Sequence, residues 1–209
     1  MTLQKKGCLY KYRSIENLER FLSIIIDRKL YGASYNEMND PIEGYFKYNS
    51  DIDKGKYQEV VEGKSTRLIC SLSKRGDIGL MWTHYCSDNK GCCLEFEITS
   101  KSWERVEVVY KTQMPVLNNN TTVKDILSVK AKMWEYENEV RYLSPEIEIN
   151  PVTKKLKKRL QLSIKILRVF IGCKVDRSKK AHLKKIIKAL DENIEYVDMK
   201  IADLDYGYK

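Results

Sequence analysis

No run of apolar residues in this chain approaches the roughly 18 needed for a membrane-crossing helix. Residues 1–13, "MTLQKKGCLYKYR", hold no apolar core of the kind that heads a secretory signal. Together these absences predict a cytoplasmic protein. There is no CxxC pair among the six cysteines Cys8, Cys70, Cys86, Cys92, Cys93 and Cys173. In a reducing compartment a disulfide framework is not expected, and cysteines inside apolar runs act as small hydrophobes. The sequence also lacks a glycine-rich phosphate loop, a GxSxG elbow and an HExxH pair. Internal repeats and low-complexity linkers are missing as well. Histidine is scarce, with only His84 and His182. A zinc set built from His84, Cys86, Cys92 and Cys93 matches no common spacing, and neighbours such as Cys92 and Cys93 would point to opposite faces of a strand. No metal is therefore expected.

What is present describes a globular chain. Its 209 residues suit one domain, 1–209, and can bury a sizeable core. Hydrophobic residues make up 43% and charged residues 32%, a balance that argues against disorder. Strand patterns are read at 8–13, 30–35, 67–73, 91–98, 105–111, 163–172 and 194–199, with 163–172 as the central strand. A helix is read over 14–29, capped by Ser14, with Leu18, Leu22, Ile25 and Ile26 inward. Others are read over 76–88 with Leu80, Met81 and Trp82 inward, over 121–134 capped by Thr121 or Thr122, and over 178–193. The irregular alternation predicts an α+β fold, a mixed, mostly antiparallel sheet with flanking helices.

Charge is uneven. From Pro151 to Leu190 there are 14 lysines and arginines against one acid, Asp176, so this stretch carries +13 of a total of +9 and the remainder is −4. A basic third on a mildly acidic body suits a polyanion such as nucleic acid. A solvated basic face is the plainer alternative.

The richest stretch is "MWEYENEVRYL", residues 133–143. Its second part, "ENEVRYL" at 137–143, reads as a strand after the helical pattern, and sets Glu137, Glu139 and Arg141 on one face, because residues two apart share a side. Close carboxylates raise one another's pKa and an arginine lowers it. In "YKYRS", Tyr10, Tyr12 and Arg13 can offer a guanidinium to phosphate beside aromatic rings. In "NDPIEG", Asn39 and Asp40 either cap a turn or sit at the mouth of a cleft.

The ordered series "LYKYRS", "NDPIEG", "ICSLSK", "LMWTHYCSDNKGCCLEF", "VVY", "KMWEYENEVRYL" and "VFIG", spanning residues 8–173, resembles a bacterial family catalogued as domain of unknown function 2971. Arg13, the serines of "ICSLS" and the ExE of "YENEVR" also resemble the arginine–serine–glutamate series of ADP-ribosyltransferases. That likeness implies an ADP-ribosyltransferase-like fold with NAD as substrate. It gives Arg13 an NAD phosphate, Ser71 and Ser73 the steadying of the site, and Glu139 the ribose on the nicotinamide side. Glu137 would orient or deprotonate the acceptor, Tyr12 would stack on nicotinamide, and His84 or Tyr85 would form the wall. The sequence departs from the pattern in reading Ser-Leu-Ser in the middle element and in placing Arg141 directly beyond the ExE.

The function expected is an NAD-dependent ADP-ribosyltransferase with a nucleic-acid acceptor, of the kind that serves as a toxin or antiphage effector restrained by a partner protein. The alternatives are a binding module without catalysis and a metal-dependent nuclease built on Asp40, Glu137 and Glu139.

Overall fold

The computed structural model describes residues 7–205 and has an α+β fold around one eight-stranded sheet. The strands are β1 (Leu9–Arg13), β2 (Lys29–Tyr31), β3 (Lys47–Tyr48), β4 (Ile69–Ser73), β5 (Cys92–Ile98) and β6 (Glu104–Glu107). They continue with β7 (Val109–Lys111), β8 (Val116–Leu117), β9 (Val129–Ala131), β10 (Glu139–Leu143), β11 (Gln161–Ile171) and β12 (Glu195–Asp198). The helices are α1 (Leu18–Asp27), α2 (Lys54–Ser65), α3 (Gly79–Tyr85), α4 (Val123–Leu127) and α5 (Arg177–Leu190).

The main sheet runs β12-β11-β5-β1-β4-β10-β6, with β2 added alongside β11. Its pairings are antiparallel except β11 with β12. Those two are joined through α5, the long crossover that a parallel pair requires. The strand at the centre is β1, and the long apolar β11 lies next to the edge strand β12. The expected central place for 163–172 is thus corrected. Its apolar character comes from cover on both sides, where Ile164 and Ile166 join one core cluster and Phe170 the other.

Alternation along the strands sends Leu9, Leu72, Cys92 and Leu94 into one core, under Phe21, Ile24 and Ile25 of α1 and Leu183 and Ile187 of α5. The opposite face packs Tyr10, Tyr12, Cys93 and Phe170 against Met81 and Trp82 of α3. Cys92 and Cys93 therefore do point to opposite faces, and all six cysteines are free thiols.

The helix ends differ from the sequence reading. Asn17, not Ser14, caps α1, accepting from the Arg20 amide at 2.8 Å. The shift rotates the buried stripe onto Phe21, Ile24 and Ile25, leaving Leu18 and Ile26 exposed. In α3, Leu80 is exposed while Met81 and Trp82 are buried. The stretch 105–111 divides into β6 and β7.

The largest correction concerns 121–134. Thr122 caps a helix of only five residues, α4, in a capping box with Asp125. The chain then extends as β9, which pairs in parallel with β7, and coils into a 3₁₀ stretch from Lys132 to Glu137. Asn138 follows in the left-handed region at φ 47°, a conformation asparagine tolerates better than most residues. So β10 begins at Glu139, and Glu137 is not on the strand.

One feature of the sheet positions the site. β1 meets β5 over five residue pairs but meets β4 in register only at Tyr10–Ser73. Beyond that pair the strands part. Ala33 takes up Ile69 of β4 through two backbone bonds, and the Lys11 ammonium donates to the Ser71 carbonyl at 2.5 Å. A lysine side chain thus does part of what a ladder bond would have done.

Candidate functional site

A cavity of about 500 Å³ opens at this seam, within the usual range for small-molecule sites. Arg13, Ser71 and Glu139, the three positions the arginine–serine–glutamate likeness singles out, all line it. Arg13 and Glu139 come from opposite faces of the sheet, and the parted strands let both reach one space. Glu137, Tyr85, Asn39 and Asp40 also line the cavity. Asp40 is buried and accepts from the Ile42 amide at 3.1 Å, so it both caps its turn and faces the cleft.

The acidic pole is tightly held. Lys130 donates to Glu137 Oε2 and, at 2.7 Å, to Glu139 Oε2. Arg141 Nε donates to Glu139 Oε1 at 2.9 Å, and its two terminal nitrogens grip Glu43 at 2.7 and 2.8 Å. Tyr85 donates its hydroxyl to Glu137 Oε1 at 2.5 Å. The Glu139 amide bonds to the Tyr110 hydroxyl at 2.7 Å, fixing the strand start. Burial works against the charge on Glu139, yet Arg141 and Lys130 together hold its carboxyl below the ordinary range. Burial pushes Glu43 up in spite of Arg141. It also raises the Tyr85 hydroxyl, with the Glu137 carboxylate adding to the effect.

The cationic pole lies on β1. Burial first, then the charge of Arg13, lowers the Lys11 ammonium to about 8. Burial lowers Arg13 too. The Arg13 Nε and the Ser71 hydroxyl are both shut away from solvent with no hydrogen-bond partner. A buried polar group without a partner is costly, so two of them in one cavity suit a ligand that supplies the bonds.

Four of the expected site residues take other places or roles. Tyr12 borders the cavity, but its ring lies perpendicular to that of Trp82 and its hydroxyl donates to the Arg75 carbonyl, so the core holds it in place. Ser73 donates to the Glu137 carbonyl at 2.7 Å and braces the turn before β10. His84 is exposed and its ring nitrogen meets the Tyr136 hydroxyl at 3.0 Å, away from the cavity lining. Arg141 is fully buried behind the cavity rather than in it. Nor does Arg141 pair with Glu137: its partners are Glu139 and Glu43.

Sequence reasoning missed Lys11, Lys130, Glu43 and Trp134. Lys11 could have been found, since the two-residue rule that joined Glu139 to Arg141 also joins Lys11 to Arg13. Lys130 lay hidden because 121–134 reads as one helix. Trp134 lines the cavity, and the Lys130 ammonium sits over its ring at 5.3 Å.

Among the described residues no group of three or more His, Cys, Asp or Glu side chains is placed to hold a metal ion, and no helix is long and apolar enough to cross a membrane. Comparison with family models, curated proteins and solved structures gives no match.

Proposed function

We propose that the protein is an NAD-dependent ADP-ribosyltransferase acting on a macromolecular acceptor, with nucleic acid as the acceptor class. One observation carries this reading: Arg13, Ser71 and Glu139 meet in one cavity, with the Arg13 Nε and Ser71 hydroxyl still without partners. The resemblance to domain of unknown function 2971 is part of the same proposal and adds no activity of its own.

The chemistry suits the residues. Cleavage of the nicotinamide–ribose bond passes through an oxocarbenium-like state. Glu139, kept ionised by Arg141 and Lys130, is a fixed negative charge against which that state develops. Its oxygens each accept one bond from the protein, and a carboxylate oxygen has a second lone pair for a ribose hydroxyl. Glu137, bonded to Tyr85, is the carboxylate left to orient an acceptor. Tyr12 is engaged by Trp82 and the Arg75 carbonyl, and Trp134 is a second ring on the cavity wall that can stack on nicotinamide.

The test is nicotinamide release from NAD, with and without DNA or RNA, by the protein and by Glu139→Gln. Release that disappears in the variant supports the transferase. No release under any condition, with NAD also leaving the melting temperature unchanged, overturns it. A binding module without catalysis is the second reading. It draws on the same acidic pole, because Lys130 and Arg141 already neutralise Glu139 on both sides.

A further inference from the structure

We propose that Lys11 and Arg13 form a receptor for a diphosphate, set in the seam where β1 and β4 part. The likeness to ADP-ribosyltransferases gives a role to Arg13 and none to Lys11; the second cation comes from the structure alone. Both line the same cavity on one strand, two residues apart, so their side chains leave the same face of β1.

Neither cation has a carboxylate partner among the described residues. Every carboxylate of the acidic pole is already claimed: Glu137 and Glu139 by Lys130, Glu139 and Glu43 by Arg141. Lys11 rests on a neutral acceptor, the Ser71 carbonyl, and the Arg13 Nε on nothing. Two half-buried positive charges on one strand face are unfavourable unless an anion joins them, and the charge of Arg13 already lowers the basicity of Lys11. The Ser71 hydroxyl, also without a partner, gives a neutral donor on the opposite wall of the seam. A compact anion with two charges and several acceptor oxygens satisfies all three groups, and a diphosphate has that chemistry. Free pyrophosphate and the diphosphate of a nucleotide share it.

This deepens the proposed function by naming the ligand group, but it stands whether or not NAD is cleaved. The probes are inorganic pyrophosphate, ADP and adenosine, titrated calorimetrically into the full chain. Pyrophosphate and ADP are expected to bind and adenosine to give no heat. Tighter binding of ADP than of pyrophosphate points to a nucleotide source, and equal binding to the free diphosphate. Lys11→Met should weaken both by on the order of 10- to 100-fold, the loss of one charge-assisted hydrogen bond, and Lys11→Arg should restore most of it. Arg13→Gln is the parallel arm and decides the question if Lys11→Met fails to fold. Absence of diphosphate binding to the wild-type chain overturns the proposal. So does unchanged affinity in variants whose circular dichroism matches wild type. Lys11-dependent diphosphate binding without nicotinamide release would overturn the transferase and keep this site; release with a diphosphate affinity indifferent to Lys11 would do the reverse.

Discussion

Lys130 lies between Glu137 and Glu139 and donates to both, 2.7 Å from the Glu139 carboxylate. The two glutamates do not share a strand face, because Glu137 ends a 3₁₀ turn and Asn138 reverses the chain before β10. What brings their carboxylates together is a cation delivered from β9. The ExE is thus assembled by a third residue, and the charge of Glu139 is held by Lys130 and Arg141 jointly.

That arrangement predicts the cost of losing the cation. Lys130→Met leaves two buried carboxylates with one fewer partner. Removing one member of a buried pair typically costs about 3–5 kcal/mol. Urea unfolding should show a loss of that order, with Lys130→Arg losing less. A variant as stable as wild type would mean that Lys130 does not bridge the pair in solution.

Glu139→Gln should lower nicotinamide release by about 10²–10³-fold, the scale of one preorganised electrostatic contact. Acid stability gives a second readout. The folded pKa of Glu139 is depressed, so its contribution is present above the unfolded value of about 4.3. It is lost as pH falls through the lower folded value. The stability difference between wild type and Glu139→Gln should therefore shrink between roughly pH 5 and pH 2. A difference independent of pH in that window would show that Glu139 is not held ionised.

Lys11 has the opposite sign. Its folded pKa is about 8, below the unfolded lysine, so between pH 8 and 10.5 the unfolded chain binds the extra proton. Stability gains from Lys11 as pH rises through that window. The stability of wild type relative to Lys11→Met should therefore rise from pH 8 toward pH 10.5. A diphosphate bound at pH 9 should draw a proton onto Lys11, seen as a heat that varies with the buffer's ionisation enthalpy. Equal heats in two buffers would exclude that uptake.

The elements legible in the sequence are those whose patterns are local. β5 and α5 follow from apolar alternation and from the Leu183–Ile187 spacing, and the α+β class follows from their order. A likeness singles out Arg13, Ser71 and Glu139 as candidates, and all three line one cavity. The rest depends on long-range contacts. Residues 121–134 have a helical pattern, but β9 pairs with β7 and pulls Lys130 into the site. Tyr12 reads as a free aromatic, but Trp82 and the Arg75 carbonyl claim it. No local pattern signals that β1 and β4 part after a single residue pair.

Composition also overstates the basic segment. Arg168 is buried and forked onto Glu95, with Nε at 2.9 Å, and Glu95 also accepts from Tyr10 at 2.9 Å. Arg168→Ala should cost about 3–5 kcal/mol in urea unfolding by leaving Glu95 charged in the core. Arg168→Met combined with Glu95→Leu should cost less than the single change, because no buried charge is stranded. A double variant worse than the single one would show that the pair itself stabilises the sheet.

The rest of that segment bears on the acceptor. Arg159 is forked onto Glu37 at 2.7 Å and lies 5.2 Å from the Tyr31 ring, and both Glu37 and Tyr31 line the cavity. Arg159 thus fastens the end of the stretch 154–159 to the cavity rim. Lys157 pairs with Glu148, while Lys154, Lys155 and Lys158 are exposed and form no ion pair among the described residues. If nucleic acid reaches the cavity across this edge, these three lysines contact its phosphates. Each phosphate contact to a single strand adds about 0.7 to the slope of log affinity against log salt. The triple change to glutamate should lower that slope by about 2 and weaken binding of a single-stranded oligonucleotide at low salt. Fluorescence anisotropy across a salt series measures both. An unchanged slope would place the nucleic-acid path elsewhere or remove nucleic acid as the acceptor.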